Sequence, residues 1–174
     1  MKKFFLTMFM IFAVSSTCLA ATVVRVSDYN LDEFFRAYNN VALNVNKNNR
    51  AFDEFPIKAM QSDIYDTYLA TCGTDGHGVA VGLFANKQGQ ISKITLSLNG
   101  NDKIAGKCSG DVFLNMLVTL GMTKPEWTAL LNDMKSGKTP AYHLCAATNR
   151  IIVVEVSGDR AAGVINIRIT AAVN

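Results

Sequence analysis

The same hydrophobic pattern occurs twice along this chain, and that repetition is the strongest constraint on its fold. A shift of 73 residues carries Val79, Val81, Leu83, Ile94 and Leu96 onto Ile152, Val154, Val156, Ile167 and Ile169 without a gap, and Cys72 onto Cys145. A shift of 82 carries Leu31, Phe34, Phe35 and Tyr38 onto Phe113, Met116, Leu117 and Leu120, so the link from helix to strands is nine residues longer in the first round. Alternation with period two gives a strand one apolar face, and spacing at i, i+3, i+4 and i+7 gives a helix one apolar stripe. Two helix-plus-hairpin units can bury a common core by laying their strands side by side under helices. The expected fold is therefore α+β: an antiparallel sheet of about six strands with helices on one face. Two tandem units, residues 21–102 and 103–174, share one domain.

Local signals place the elements. Asn30 followed by Glu33 is a capping box, opening a helix whose stripe is Leu31, Phe34, Phe35, Tyr38 and Val41. Six asparagines among the twelve residues Asn39 to Arg50 predict that this helix frays into a loop, and Pro56 predicts that the following stretch stays irregular. Ala21 to Arg25 reads as a short edge strand. Strands are expected at Ile64–Cys72, Gly78–Phe84 and Ile91–Leu98, with Asn86-Lys87-Gln88-Gly89 as the hairpin loop. A second helix starts at Ser109 or Asp111 and ends at Gly121. A third opens on the capping box of Thr123 and Glu126, with Trp127, Leu130, Leu131 and Met134 inward. Strands then resume at Ala141–Ala146, Ile151–Val156 and Val164–Ala171. On this pattern Ile94, Leu96, Ile152, Val154, Val156, Ile165, Ile167 and Ile169 face the helices. The other face carries Ala80, Gly82, Phe84, Lys93, Thr95, Ser97, Val153, Glu155, Asn166, Arg168 and Thr170.

Residues 1–20 have the form of a secretory signal peptide. Lys2 and Lys3 precede the apolar run Phe4 to Val14, and Cys18 and Ala20 are the small residues at a cleavage site after Ala20. Eleven residues are too few to span a bilayer, and no later stretch is apolar enough to do so, which predicts a soluble exported protein in the periplasm or beyond. Half of the 174 residues (49%) are hydrophobic and 18% are charged, a composition that excludes extended disorder. Losing Lys2 and Lys3 from the 17 basic residues leaves 15 against 14 acidic, too balanced for general attraction to nucleic acid or anionic membrane.

Export permits disulfides, and Cys72, Cys108 and Cys145 remain after cleavage. If Val81 faces Ile94 across the first hairpin, Cys72 looks across at Lys103, where the chain sets off toward Cys108. The same pairing sends Cys145 past the end of the chain. The expected bridge is Cys72–Cys108, across 36 residues, with Cys145 unpaired; such a loop is worth about 3–4 kcal/mol. Cys72–Cys145, a link between equivalent strands, is the alternative.

The chemistry-bearing residues are few. Cys72, His77, His143 and Cys145 form the one set with metal-ligating chemistry, although neither Cys–His spacing is that of a zinc finger. No Gly-x-Ser-x-Gly elbow, phosphate-cradling loop or dinucleotide fingerprint occurs, so no cofactor is implied and catalysis is not expected. Asp32–Glu33 and Asp53–Glu54 read as solvated pairs, and the Gly-rich stretch Gly73 to Gly78 as a connection between strands.

The tandem helix-plus-sheet plan resembles that of β-lactamase-inhibitor-type repeat proteins, and Gly121-Met122-Thr123 followed by Glu126 is similar to a turn in that group. The expected function is binding, as an inhibitor or immunity-type protein, to another exported or envelope protein. The expected contact surface is the open sheet face around Lys93, Thr95, Glu155 and Arg168. A periplasmic small-molecule or metal carrier is the alternative.

Overall fold

The computed structural model describes residues 25–73, 78–99, 103–159 and 163–172. The signal peptide, the edge strand expected at Ala21 to Arg25 (apart from Arg25 itself, which is not in a strand) and His77 lie outside the described residues. The architecture is α+β: the described residues form one seven-stranded antiparallel sheet and three α-helices.

Helix α1 (Leu31–Asn40) begins at the expected capping box. Asn30 Oδ1 accepts from the Glu33 N–H at 3.0 Å, and Glu33 Oε2 accepts from the Asn30 N–H at 3.0 Å. Its stripe buries Phe34 and Tyr38. Instead of fraying, the chain widens into a π-helical turn, Val41–Val45, which buries Val41 and Ala42. The asparagines explain why. Asn46 and Asn48 each donate a side-chain N–H to Asn115 Oδ1, at 2.8 and 2.9 Å, and Asn115 donates back to Asn48 Oδ1 at 3.1 Å. Amides that compete with helix locally serve here as long-range partners.

Strand β1 (Ile57–Gln61) is the seventh strand, which the sequence pattern missed. All five residues are exposed, so no buried alternation marks it, and Pro56 lies just before it, where an edge strand tolerates proline. Strands β2 (Tyr65–Cys72), β3 (Val79–Asn86) and β4 (Ile91–Asn99) follow. Helix α2 (Lys103–Thr119) starts two turns earlier than expected. Gly106 and Gly110 lower the helix propensity of its first turns, and both sit where a side chain would meet open space. Burial of Cys108, Val112, Phe113, Met116, Leu117 and Leu120 makes one continuous stripe. Gly121, at φ +91°, turns the chain into α3 (Lys124–Lys135). Strands β5 (Ala141–Cys145), β6 (Arg150–Asp159) and β7 (Val164–Ala171) complete the sheet in the order β1-β2-β3-β4-β7-β6-β5.

The residues expected to face the helices do so. Ile94, Leu96, Ile152, Val154, Ile167 and Ile169 are buried in one cluster with the helix stripes, and Val156 and Ile165 pack against it. The register differs from expectation. Val81 pairs with Leu96 and Leu83 with Ile94, because the first turn closes on Gln90 and Ser92 forms a bulge opposite Phe84 and Ala85. In the second hairpin Val154 pairs with Ile169. These registers coincide under the 73-residue shift, which carries Val81–Leu96 onto Val154–Ile169. At the join of β4 and β7, Thr95 pairs with Arg168, its own equivalent under that shift. The outer strands depart from the rule: six residues separate Cys72 from its partner Val79, but only four separate Cys145 from Arg150.

Candidate functional site

Among the described residues no helix covers the second face of the sheet, and the strand registers line up one row of residues across it. From the β1 edge across the centre to β6 the pairs run Ile57–Leu69, Leu69–Gly82, Gly82–Thr95, Thr95–Arg168 and Arg168–Glu155. Neighbouring strands stand about 4.8 Å apart, so the row is about 24 Å long. Two contiguous troughs follow it. One, of about 640 Å³, lies between Asp53, Glu54, Phe55, Ile57, Leu69 and Ala80. The other, of about 770 Å³, continues over Gly82 and Thr95 to Glu155 and Arg168.

The two ends differ in character. Ile57 is 67% exposed and Leu69 54%, values that leave most of an aliphatic side chain in water. Phe55, also exposed, leans edge-on against Phe35. Toward the centre the row turns polar. Arg168 forms an ion pair with Glu155 on the next strand. Lys93, two residues from Thr95 on the same face of β4, holds its ammonium 3.6 Å from the centre of the Phe84 ring and 5.1 Å from that of Tyr65. Partial burial, and secondarily the Arg168 charge, draw the Lys93 amine below the ordinary lysine range. Gly82 forms the floor between the two ends. A Cβ there would stand 2.5 Å from Thr95 Oγ1, which leans into the space that the missing side chain leaves.

The sequence reading thus placed Lys93, Thr95, Glu155 and Arg168 on the open face, and the structure brings three of them into one cross-strand row. Ile57 and Leu69 were not singled out. Leu69 carried a usable signal, being apolar on the face that the alternation of β2 assigns to solvent, but Ile57 lies on the strand that the pattern did not reveal.

The cysteines and histidines do not assemble. The structure holds Cys72, Cys108 and Cys145 as buried free thiols, which corrects the expected Cys72–Cys108 bridge. Cys72 pairs with Val79 at the end of β2 rather than reaching toward Lys103, and Cys108 sits in the second turn of α2. Burial pushes the Cys72 thiol up to about 12, with the Tyr38 hydroxyl partly offsetting it and Asp53 adding to it. Cys72–Cys145 is out of reach. Strands β3, β4, β7 and β6 separate β2 from β5, a span of about 24 Å. The same separation divides Cys72 from His143 and Cys145, so these do not share a metal. Among the described residues no cluster of three His, Cys, Asp or Glu side chains could hold an ion. Cys145 lies against Gly121, its thiol 3.5 Å from the Leu120 carbonyl. Glu126 accepts from the Thr123 N–H and hydroxyl at 2.6 Å each, and from the Ala146 N–H at 2.8 Å, which ties α3 to the turn after β5.

Among the described residues no helix is long and apolar enough to cross a membrane. No protein-family model matches the chain, and neither the curated proteins nor the solved structures contain a match.

Proposed function

We propose that this is an exported protein, delivered to the periplasm or beyond by residues 1–20, which acts without catalysis by binding another exported or envelope protein in the manner of an inhibitor or immunity protein. The observation that carries the reading is the uncovered row Ile57–Leu69–Gly82–Thr95–Arg168–Glu155. An aliphatic end beside a mixed-charge centre, on a rigid sheet that the helices leave open, has the composition of a protein contact: apolar anchors flanked by groups that set register. The troughs are open along their length, which suits a polypeptide laid across the strands better than an enclosed small ligand.

Two tandem units are part of this proposal. Coincident hairpin registers under one shift, with Thr95 and Arg168 paired at the join, support descent from a duplicated unit whose outer strands have since diverged.

Affinity capture of the mature protein from its native envelope, in parallel with Leu69→Arg, tests the reading. A stoichiometric partner that is retained by the wild type and lost by the variant is expected. Equal capture by both would remove the open face from consideration. Amino-terminal sequencing of the exported form should begin at Ala21; a start at Met1 would overturn the export reading.

A further inference from the structure

The geometry points to the chemistry of the segment this face receives: an extended stretch of a partner polypeptide that sets an aspartate or glutamate against Lys93 and seats an apolar side chain, about four residues away, on Leu69 and Ile57. The inference rests on the docking reading above and adds the partner's chemistry to it.

Charge supplies the first argument. The centre of the open face presents two cations, Lys93 and Arg168, against one anion, Glu155. Arg168 is engaged with Glu155. Lys93 rests on the Phe84 and Tyr65 rings, and none of the ion pairs among the described residues includes it. A partly desolvated ammonium beside a second cation gains from an incoming carboxylate, whereas a basic side chain would meet repulsion from both. At the other end Asp53 and Glu54 line the trough. Asp53 already accepts from the Thr71 hydroxyl at 2.8 Å and the Gly73 N–H at 3.1 Å. The carboxylates therefore gather at the β1 end of the face and the cations toward β4 and β7, which directs the partner's acid to Lys93, beside Thr95.

Shape supplies the second. Thr95 Oγ1 leans over Gly82 midway, so the row offers a hydroxyl to a partner's main chain between the apolar and charged ends. Reach supplies the third. Lys93 lies two strands from Leu69, about 10 Å, and two residues along β4 from the row, about 7 Å, a diagonal of about 12 Å, and an extended chain advances about 3.3 Å per residue. An apolar anchor on Leu69 and an acid at the charged end are then about four residues apart. An even spacing points both side chains toward the sheet.

Two cross-links made on the full chain in its native envelope test this. A photoactivatable benzoylphenylalanine at position 69 reports docking on the face. A zero-length carbodiimide, which condenses an amine with a carboxylate, reports an acid at Lys93. The expected result is a Leu69 photo-adduct together with an amide from Lys93 to an Asp or Glu of the same partner. Lys93→Glu should cut the photo-adduct yield by about tenfold or more, and Lys93→Arg, which keeps the charge, should leave it within about twofold. A photo-adduct with no Lys93 amide and no effect of Lys93→Glu would overturn the acidic segment while leaving docking in place. Absence of any photo-adduct at position 69 would overturn the docking reading and this inference with it.

Discussion

At the residue scale, one absent side chain shapes the open face. Gly82 adopts no unusual backbone angle; what excludes a larger residue is Thr95 Oγ1, 2.5 Å from where a Cβ would sit. Gly82→Ala should therefore cost about 1–3 kcal/mol by overpacking. Combining it with Thr95→Ala should recover most of that loss, because the coupling runs through a single contact. Denaturant unfolding of the two single variants and the double variant measures it, and strict additivity would refute the contact. Glu126 is a second residue with a defined task. Hydrogen bonds from the Thr123 hydroxyl, the Ala146 N–H and the Thr123 N–H hold its carboxyl below the ordinary glutamate range. A lowered value means that the folded state favours the ionised form. Its contribution is complete above the unfolded value and disappears as pH falls through the folded one. Glu126→Ala should lose about 1 kcal/mol at neutral pH, the cost of a helix cap. The difference in Tm between wild type and variant should close on acidification.

At the scale of elements, the segment between α1 and β1 shows how tertiary partners override local preference. The asparagines after α1 lower helix propensity, and from the sequence they predicted a frayed loop. Their function became visible only with α2 in place, where the fully buried Asn115 holds Asn46 and Asn48. Asn115→Ala leaves two side-chain donors without their acceptor, and should cost about 1–3 kcal/mol for each that stays buried. Amide exchange along 46–50 should quicken before the sheet loosens. Unchanged protection there would show that the loop is held by something else. The capping boxes at Asn30 and Thr123, by contrast, were legible in advance, because each involves only residues three positions apart.

At the scale of the whole molecule, the sheet is continuous from β1 to β5, and the buried cluster draws on both halves of the chain. Unfolding should be one transition, with Trp127 fluorescence and far-ultraviolet circular dichroism giving the same midpoint. Cys72 and Cys145 are fully buried and Cys108 is 1% exposed, so in the native protein these three thiols should be silent to a thiol reagent, and all three should react once it is denatured. Fewer than three under denaturing, non-reducing conditions would mean that a bridge forms after all.

By itself the sequence determined the α+β class, which strand faces are apolar, the starts of α1 and α3, and the solvent side of Lys93, Thr95, Glu155 and Arg168. Each depends on side-chain periodicity or on contacts within one turn. The tertiary structure decided the join of β4 to β7, the registers, the added strand β1 and the distance between the cysteines. Strand pairing is a choice among distant segments of similar pattern. A closing bond one residue farther along and a bulge at Ser92 moved a whole hairpin register by two without turning any side chain to the other face. Only the assembled sheet could therefore place Leu69, Gly82, Thr95 and Arg168 in line.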